Sequence, residues 1–160
     1  PANPVEVDPQ KNGGVGSWTD MDYVSSCVYI DLPDKHGVLF NGSLATGHVW
    51  YGRVDDCGHG LGNPCGGGQG PNATSFEPRF WIYDPDQCLR VATGHLSANL
   101  TPAAEFNPET AIHPMQLGCK KSLSGSYFDK DTRKLYIASY QADSSIPGLL
   151  LPLMHVFQVS

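Results

Sequence analysis

The sequence predicts an all-β protein built from two small antiparallel sheets, with one short helix between them. Charged residues make up only 16% of the 160-residue chain, whereas 18 glycines and 13 prolines are spread along it. This composition favours strands joined by turn-rich connections over a helical protein. In addition, one strand–turn–strand pattern occurs near the start of the chain and again near its end, and each copy precedes a further strand-like run.

A hairpin opens the first of these two units. Strand-forming residues at 27–31 and 37–40 flank a short turn. This turn contains Pro33 and Asp34, two residue types whose backbone preferences suit turns. The run 80–83 is rich in aromatic and β-branched residues, so it predicts a further strand of the same unit.

One short helix is predicted over residues 85–93. Asp84 can cap its N-terminus, and Pro85 fits the first helical position. Gln87 stands three residues after the cap, where a capping box places Glu or Gln. Gly94 can end the helix, because glycine tolerates the left-handed conformation found there.

The second unit repeats the hairpin near the end of the chain. Residues 126–129 and 134–138 predict two strands around a polar turn, and residues 154–159 predict the third strand. The connections at 95–118 and 144–152 are expected to be loops. We therefore expect a single β domain over residues 1–160, divided into an irregular N-terminal arm over 1–17, a first unit over about 18–94 with a long loop at 53–76, and a second unit over about 95–160.

Two copies of a small antiparallel sheet are typical of repeat architectures, and adjacent blades of a β-propeller fit the pattern best. Residues 80–85, 125–138 and 155–159 resemble the C-terminal blades of a secreted β-propeller-like family of largely uncharacterised extracellular proteins. The resemblance covers roughly residues 20–160 and implies a blade fold without implying catalytic residues. Proteins of that family carry several more blades upstream of this region.

Three glycosylation sequons and five cysteines favour a secreted, extracellular chain. The sequons begin at Asn41, Asn72 and Asn99. No signal peptide is visible, and a cleaved one would leave no trace in the sequence.

An odd number of cysteines leaves one thiol free or joined to another chain. Cys57 and Cys65 flank a glycine-rich stretch and are the natural pair, which would pin the long loop. Cys88 and Cys119 are the second predicted pair. Cys27 then remains, either buried in its strand as a small apolar residue or bonded to a partner cysteine.

The long loop at 53–76 is the predicted binding site, since loops of this length in compact domains tend to be functional. Trp50 and Tyr51 precede it and could stack on a sugar ring or anchor a protein partner. The remaining candidates lie inside the loop: Asp55, Asp56 and His59. The two aspartates leave calcium open as a ligand, and His59 with the two loop cysteines leaves zinc open, although a disulfide fits an oxidising compartment better. We assign no cofactor or metal site.

Several function classes lack support in the sequence. The formal net charge is −6 and the ten basic residues are scattered, which argues against nucleic-acid binding. No apolar run is long enough to span a membrane. Neither a Gly-x-Ser-x-Gly nor a His-Glu-x-x-His motif occurs, and the six histidines are dispersed, so no catalytic residue is assigned.

The leading hypothesis is a secreted, non-catalytic structural or protein-interaction module that forms part of a larger propeller or assembly. Two blades leave their outer faces uncovered, so the expected partners are further blades on the same or another chain, or a second copy. The alternatives are an extracellular hydrolase or lyase, or a carbohydrate-binding module with a glycan ligand, whose site would lie at the 53–76 loop.

Overall fold

The computed structural model describes residues 5–6, 22–52, 70–96, 100–108, 123–143 and 151–160. Within these residues the chain forms two antiparallel sheets and one helix, as predicted. The elements, in chain order, are β1 (Val5–Glu6), β2 (Tyr23–Asp31), β3 (His36–Gly52), β4 (Gly70–Tyr83), α1 (Pro85–Ala92), β5 (Ala104–Phe106), β6 (Leu123–Asp129), β7 (Lys134–Asp143) and β8 (Leu151–Gln158).

The first sheet is organised around the long strand β3. One edge of β3 pairs with β2 along its first half and with the two-residue β1 near its end. The other edge pairs with β4 from Val38↔Tyr83 to Gly52↔Gly70, and β5 extends the sheet beyond β4. The predicted hairpin is confirmed, since Cys27 lies opposite Phe40 and Asp31 opposite His36.

The second sheet has the strand order β6-β7-β8. A tight turn joins β6 to β7, and Asp129 organises it. The Asp129 carboxylate accepts hydrogen bonds from the backbone N–H of Asp131 (3.0 Å) and from the Thr132 hydroxyl (2.7 Å). Arg133 completes the turn with a positive φ of 53°. An aspartate that bonds to the backbone after it is a common way to start a turn.

The short helix α1 has the predicted caps. The Asp84 carboxylate accepts a hydrogen bond from the backbone N–H of Asp86 at 2.9 Å, and Pro85 occupies the first helical position. Gly94 follows the helix with a φ of 75°, the left-handed conformation that ends helices. No residue of α1 is buried.

The core lies between the two sheets, which pack on each other through one face of each. In each strand alternate side chains point inward, so β2 contributes Val28 and Ile30 while Cys27 and Tyr29 face outward. The buried cluster consists of Leu32, Leu39, Phe80, Leu123, Phe128, Leu135 and Ile137. The prediction of two small antiparallel sheets is therefore confirmed, and the buried cluster takes side chains from both of them.

A polar contact joins the sheets where β2 meets β6. The Ser26 hydroxyl donates to the backbone carbonyl of Ser124 at 2.9 Å and lies 2.8 Å from the Ser126 hydroxyl. The buried amide of Asn41 donates to the same Ser26 oxygen at 2.8 Å. Ser26 has one proton to donate and two lone pairs, so it can satisfy all three partners when Ser126 donates to it.

Several predicted boundaries differ from the structure. β3 extends from His36 to Gly52, beyond the predicted 37–40, and β8 begins at Leu151, inside the predicted loop at 144–152. The N-terminal arm contains the short strand β1, and the predicted loop at 95–118 contains β5, which belongs to the first sheet. Residues 70–76, predicted as loop, begin β4. They form a strand because β3 continues to Gly52 and offers a pairing edge along that whole length.

Candidate functional site

The loop site predicted from the sequence lies almost entirely outside the described residues. Asp55, Asp56 and His59 fall there, as do Cys57 and Cys65. Trp50 and Tyr51 are in the last part of β3, where their backbones pair with Asn72 and Pro71, but their side chains are not described. Sugar binding, calcium binding and the disulfide across this loop therefore stay predictions.

The described part of the chain contains two of the five cysteines, Cys27 and Cys88. Cys88 lies in α1 with a free thiol, whereas Cys119, its predicted partner, lies outside the described residues, so this pairing stays a prediction. Cys27 is also free, and it is exposed on the outer face of the first sheet, so the structure does not support the first of its two alternatives, burial as a small apolar residue. Cysteine spacing alone does not determine connectivity. A link from Cys27 to another chain stays a prediction.

The three sequons lie in different surroundings. Asn41 has no exposed surface, and its side-chain nitrogen, the atom to which a glycan would be attached, donates to Ser26 inside the sheet interface. We therefore expect Asn41 to carry no glycan in the folded protein. Asn72 lies in β4 with its side chain outside the described part, and Asn99 lies outside the described residues. Glycosylation at these two positions stays a prediction.

The second sheet contains a buried serine–histidine pair. The Ser139 hydroxyl and Nε2 of His155 are 2.7 Å apart. A hydrogen-bonded serine and histidine are also the core of many hydrolytic sites. Here Ser139 has no exposed surface, so a substrate cannot reach its oxygen, and the pair instead links β7 to β8 inside the protein. His155 is buried as well.

The outer face of the second sheet is apolar and exposed. Three neighbouring side chains cross this face from strand to strand: Tyr127 on β6, Tyr136 on β7 and Val156 on β8. Met154 is the next residue of β8 that points to the same face. We call these four residues the outer row. Three of them are largely in solvent, with exposed fractions of 64% for Tyr127, 60% for Met154 and 52% for Val156. The Tyr127 and Tyr136 ring centroids are 6.1 Å apart.

A polar row borders the outer row on the same face. It consists of Asp129, Lys134 and Gln158, which are also direct neighbours across the three strands. The hydrogen bond from the Thr132 hydroxyl is the main cause that lowers the pKa of Asp129 below its usual value, and the Lys134 charge adds to it. The carboxylate is therefore charged at neutral pH, and this row presents one negative and one positive group.

A second charged contact ties the two hairpin turns together. The Lys130 ammonium donates to the Asp31 carboxylate, linking the β6–β7 turn to the end of β2. This hydrogen bond is the main cause that raises the pKa of Lys130. The contact is exposed, so it contributes little to stability.

The outer row was only partly visible in the sequence. The sequence predicted the strands that contain Tyr127 and Tyr136, but it favoured Trp50 and Tyr51 as binding residues because they precede the long loop. Met154 and Val156 were not singled out at all. The alternation of β8 separates Met154 and Val156 from His155 and Phe157. However, each of these two pairs contains at least one apolar residue, so the alternation does not predict which face of β8 is exposed.

Comparisons with protein-family models, with curated proteins and with solved structures find no match. Among the described residues, no three or more His, Cys, Asp and Glu side chains come together as a metal site would require. The described part of the chain also contains no helix with the length and hydropathy needed to cross a membrane.

Proposed function

We propose that this protein is a secreted, non-catalytic interaction module that builds an extracellular assembly, and that the outer row is its contact surface. The observation that carries the proposal is the exposure of Tyr127, Met154 and Val156 together on one face of a three-stranded sheet. Contiguous exposed apolar side chains bordered by polar ones are characteristic of protein–protein contact sites. Tyrosine and methionine are also enriched at such sites.

The partner that we propose is a second copy of the chain. The outer row itself is uncharged, so two copies can bury it without placing like charges against each other. The adjacent polar row carries both Asp129 and Lys134. Across a twofold axis, Asp129 of one copy can therefore face Lys134 of the other, which makes the surface complementary to itself.

The fold also supports an assembly role in a more general way. The two sheets bury one face of each and leave the other face of the second sheet open, as expected for a pair of blades removed from a closed ring. The cysteine content and the sequons at Asn72 and Asn99 support the extracellular location.

The test is the absolute mass of the native protein, measured by light scattering over a range of protein concentrations. We expect a particle of twice the 17.3 kDa chain mass or more for the unmodified protein. The double variant Tyr127→Ser/Val156→Thr should remain a monomer at the same concentrations. A monomer for the unmodified chain at every concentration would remove the support for this proposal.

Tyr29→Ser is the matched control. Tyr29 is also an exposed strand tyrosine, with 52% of its surface in solvent, but it lies on the outer face of the first sheet. Its replacement should leave the native mass unchanged. If Tyr29→Ser dissociates the particle and the double variant does not, the contact surface lies on the first sheet and the assignment of the outer row is wrong.

A further inference from the structure

Strand β8 is an open edge of the second sheet. Among the described strands it pairs only with β7, which lies on one side of it. The backbone N–H of Val159 donates to the carbonyl of Arg133, and the register of β7 and β8 continues this pairing. Bonding residues alternate along an antiparallel strand, so every second residue of β8 turns its backbone N–H and C=O away from β7. These residues are Met154, Val156 and Gln158.

This edge lacks the features that usually keep a strand from pairing with another chain. Exposed edge strands are commonly blocked by charged side chains, proline or a bulge. β8 contains no Asp, Glu, Lys or Arg, and its one proline, Pro152, lies near its start. Its register with β7 is unbroken from Leu153 to Gln158. The other outer strand of this sheet, β6, already contacts the first sheet, because Ser26 donates to the backbone carbonyl of Ser124.

An apolar groove lies beside this edge, on the inner face of the second sheet. Its volume is about 410 Å³, and side chains from both sheets line it, including Ile82, Phe106 and Leu135. β8 lies across from β4, with the Phe80 and Phe157 ring centroids 6.0 Å apart. β5 continues the first sheet beyond β4, whereas among the described strands none continues the second sheet beyond β8. Phe106 of β5 is accordingly 44% exposed.

We infer that β8 binds an extended segment of a partner protein as a fourth, antiparallel strand, and that this segment carries an apolar residue at every second position. Its backbone pairs with Met154, Val156 and Gln158, and its apolar side chains enter the groove and cover Phe106. Strands added to a sheet edge are recognised in this way, with affinity from main-chain hydrogen bonds and specificity from pockets for alternate side chains. The inference goes beyond the proposed assembly of copies, because it uses the backbone edge and the inner face of the second sheet.

The test uses three short synthetic peptides in which threonine alternates with valine, with leucine or with phenylalanine, and which carry lysine at both ends for solubility. Fluorescence anisotropy of the labelled peptides with the full chain should show saturable binding for at least one of them. A control of the same composition, with its apolar residues placed next to each other, should bind about tenfold more weakly, because only alternate residues of a strand share a face. Absence of saturable binding by all three peptides would overturn the inference.

Two N-methylated forms of the binding peptide test the strand pairing itself. Directly opposite residues of an antiparallel pair share a face, so the threonines lie on the side of Met154 and Val156 and point their N–H groups at β8. Methyl groups on two threonine nitrogens should weaken binding about tenfold or more, because they remove hydrogen bonds to the edge. Methyl groups on two apolar residues point away from β8 and should leave the affinity unchanged. Equal affinities for the two forms would show that the peptide does not pair with β8.

A matched pair of variants at Gln158 tests the same edge from the protein side. Gln158→Pro removes an outward N–H, and we expect the peptide to bind about fivefold more weakly or worse. Gln158→Ala removes the same side chain, with its bonds to the Thr132 and Arg133 carbonyls, but keeps the N–H, so it should bind as before. Equal binding by both variants would contradict the inference. If Gln158→Pro does not fold, the two N-methylated peptides decide with the unmodified protein.

The native mass, measured by light scattering during the peptide titration, separates this inference from the proposed assembly. We expect the number of copies in the particle to stay the same when the peptide binds, because the outer row is on the other face. A particle that dissociates as the peptide binds would show that a second copy occupies β8, and a partner segment would be the wrong occupant. A particle of constant copy number that binds none of the peptides would leave the assembly proposal standing and overturn this inference alone.

Discussion

Ser26 and Ser126 are one hundred residues apart in the sequence, yet their hydroxyl oxygens lie 2.8 Å from each other. The two residues come from strands of different sheets, β2 and β6. Asn41 donates to the same Ser26 oxygen from β3. A part-buried polar junction of this kind favours one relative position of the strands, because each donor and acceptor must find its partner. It therefore helps to set how the two sheets pack on each other.

Replacement of Ser26 by alanine should destabilise the protein by about 1–3 kcal/mol, because the buried Asn41 amide loses its acceptor. Ser25→Ala is the control. Within the described part of the chain, the buried Ser25 hydroxyl has no hydrogen-bond partner, so its removal should be neutral or slightly stabilising. Urea unfolding of both variants and of the parent protein measures the change in the free energy of unfolding. Equal losses for the two variants would contradict the role given to Ser26.

Gly42 and Gly125 should respond differently to the same substitution. A Cβ at Gly42 would overlap the backbone carbonyl of Tyr23, which cannot move without shifting β2. Gly42→Ala should therefore cost about 1–3 kcal/mol or more of unfolding free energy. A Cβ at Gly125 would meet no atom within 4 Å, so Gly125→Ala should be tolerated. Thermal melts of both variants test this pair. A Gly42→Ala variant with the melting temperature of the parent protein would show that the Tyr23 backbone does not lie against Gly42.

The turn at Asp129 should make stability depend on pH in the acid range. Its pKa is lowered in the folded protein, mainly by the Thr132 hydroxyl. Folding therefore gains from the charged carboxylate above the unfolded pKa of about 3.9, and this gain is lost as the pH falls through the lower folded value. Asp129→Asn should be less stable than the parent at pH 7, and the difference should shrink below about pH 4. A difference that stays constant from pH 7 to pH 2 would be inconsistent with this explanation.

Glycan occupancy should differ among the sequons. When the chain is secreted from a eukaryotic host, we expect Asn41 to be unmodified in the folded protein, because its side-chain nitrogen is buried and bonded to Ser26. Mass spectrometry of the glycopeptides reports each site separately. Folded protein with a glycan at Asn41 would show that the β2–β3 packing described here is wrong.

The strands that the sequence predicted correctly are those with a turn to define them. Pro33 and Asp34 mark the first hairpin, and Asp129 marks the second by bonding to the backbone after it. The helix was predicted for the same reason, since Asp84 and Gly94 specify its two ends. In each case local chemistry determines the structure, so no knowledge of distant contacts is needed.

The elements that the sequence did not predict depend on distant partners. β5 has only three residues, and it is a strand because it pairs with β4, where Phe106 lies opposite Phe80. Residues 70–76 contain glycine, proline and asparagine, which are typical of loops, yet β3 provides an edge for them to pair with. The outer row could not be assigned either. Its exposure depends on which face of β7 and β8 the first sheet covers. The sequence of β8 does not reveal that face, because Val156 on the outer face and Phe157 on the inner face are both apolar.

Hydrogen–deuterium exchange at low and high protein concentration tests the central proposal most directly, because it locates the contact as well as detecting it. If the outer row is the surface between copies, raising the concentration should slow exchange in peptides covering β6 and β8 and leave those covering β2 unchanged. Exchange that is the same at every concentration, or that slows only in β2, would contradict the proposal.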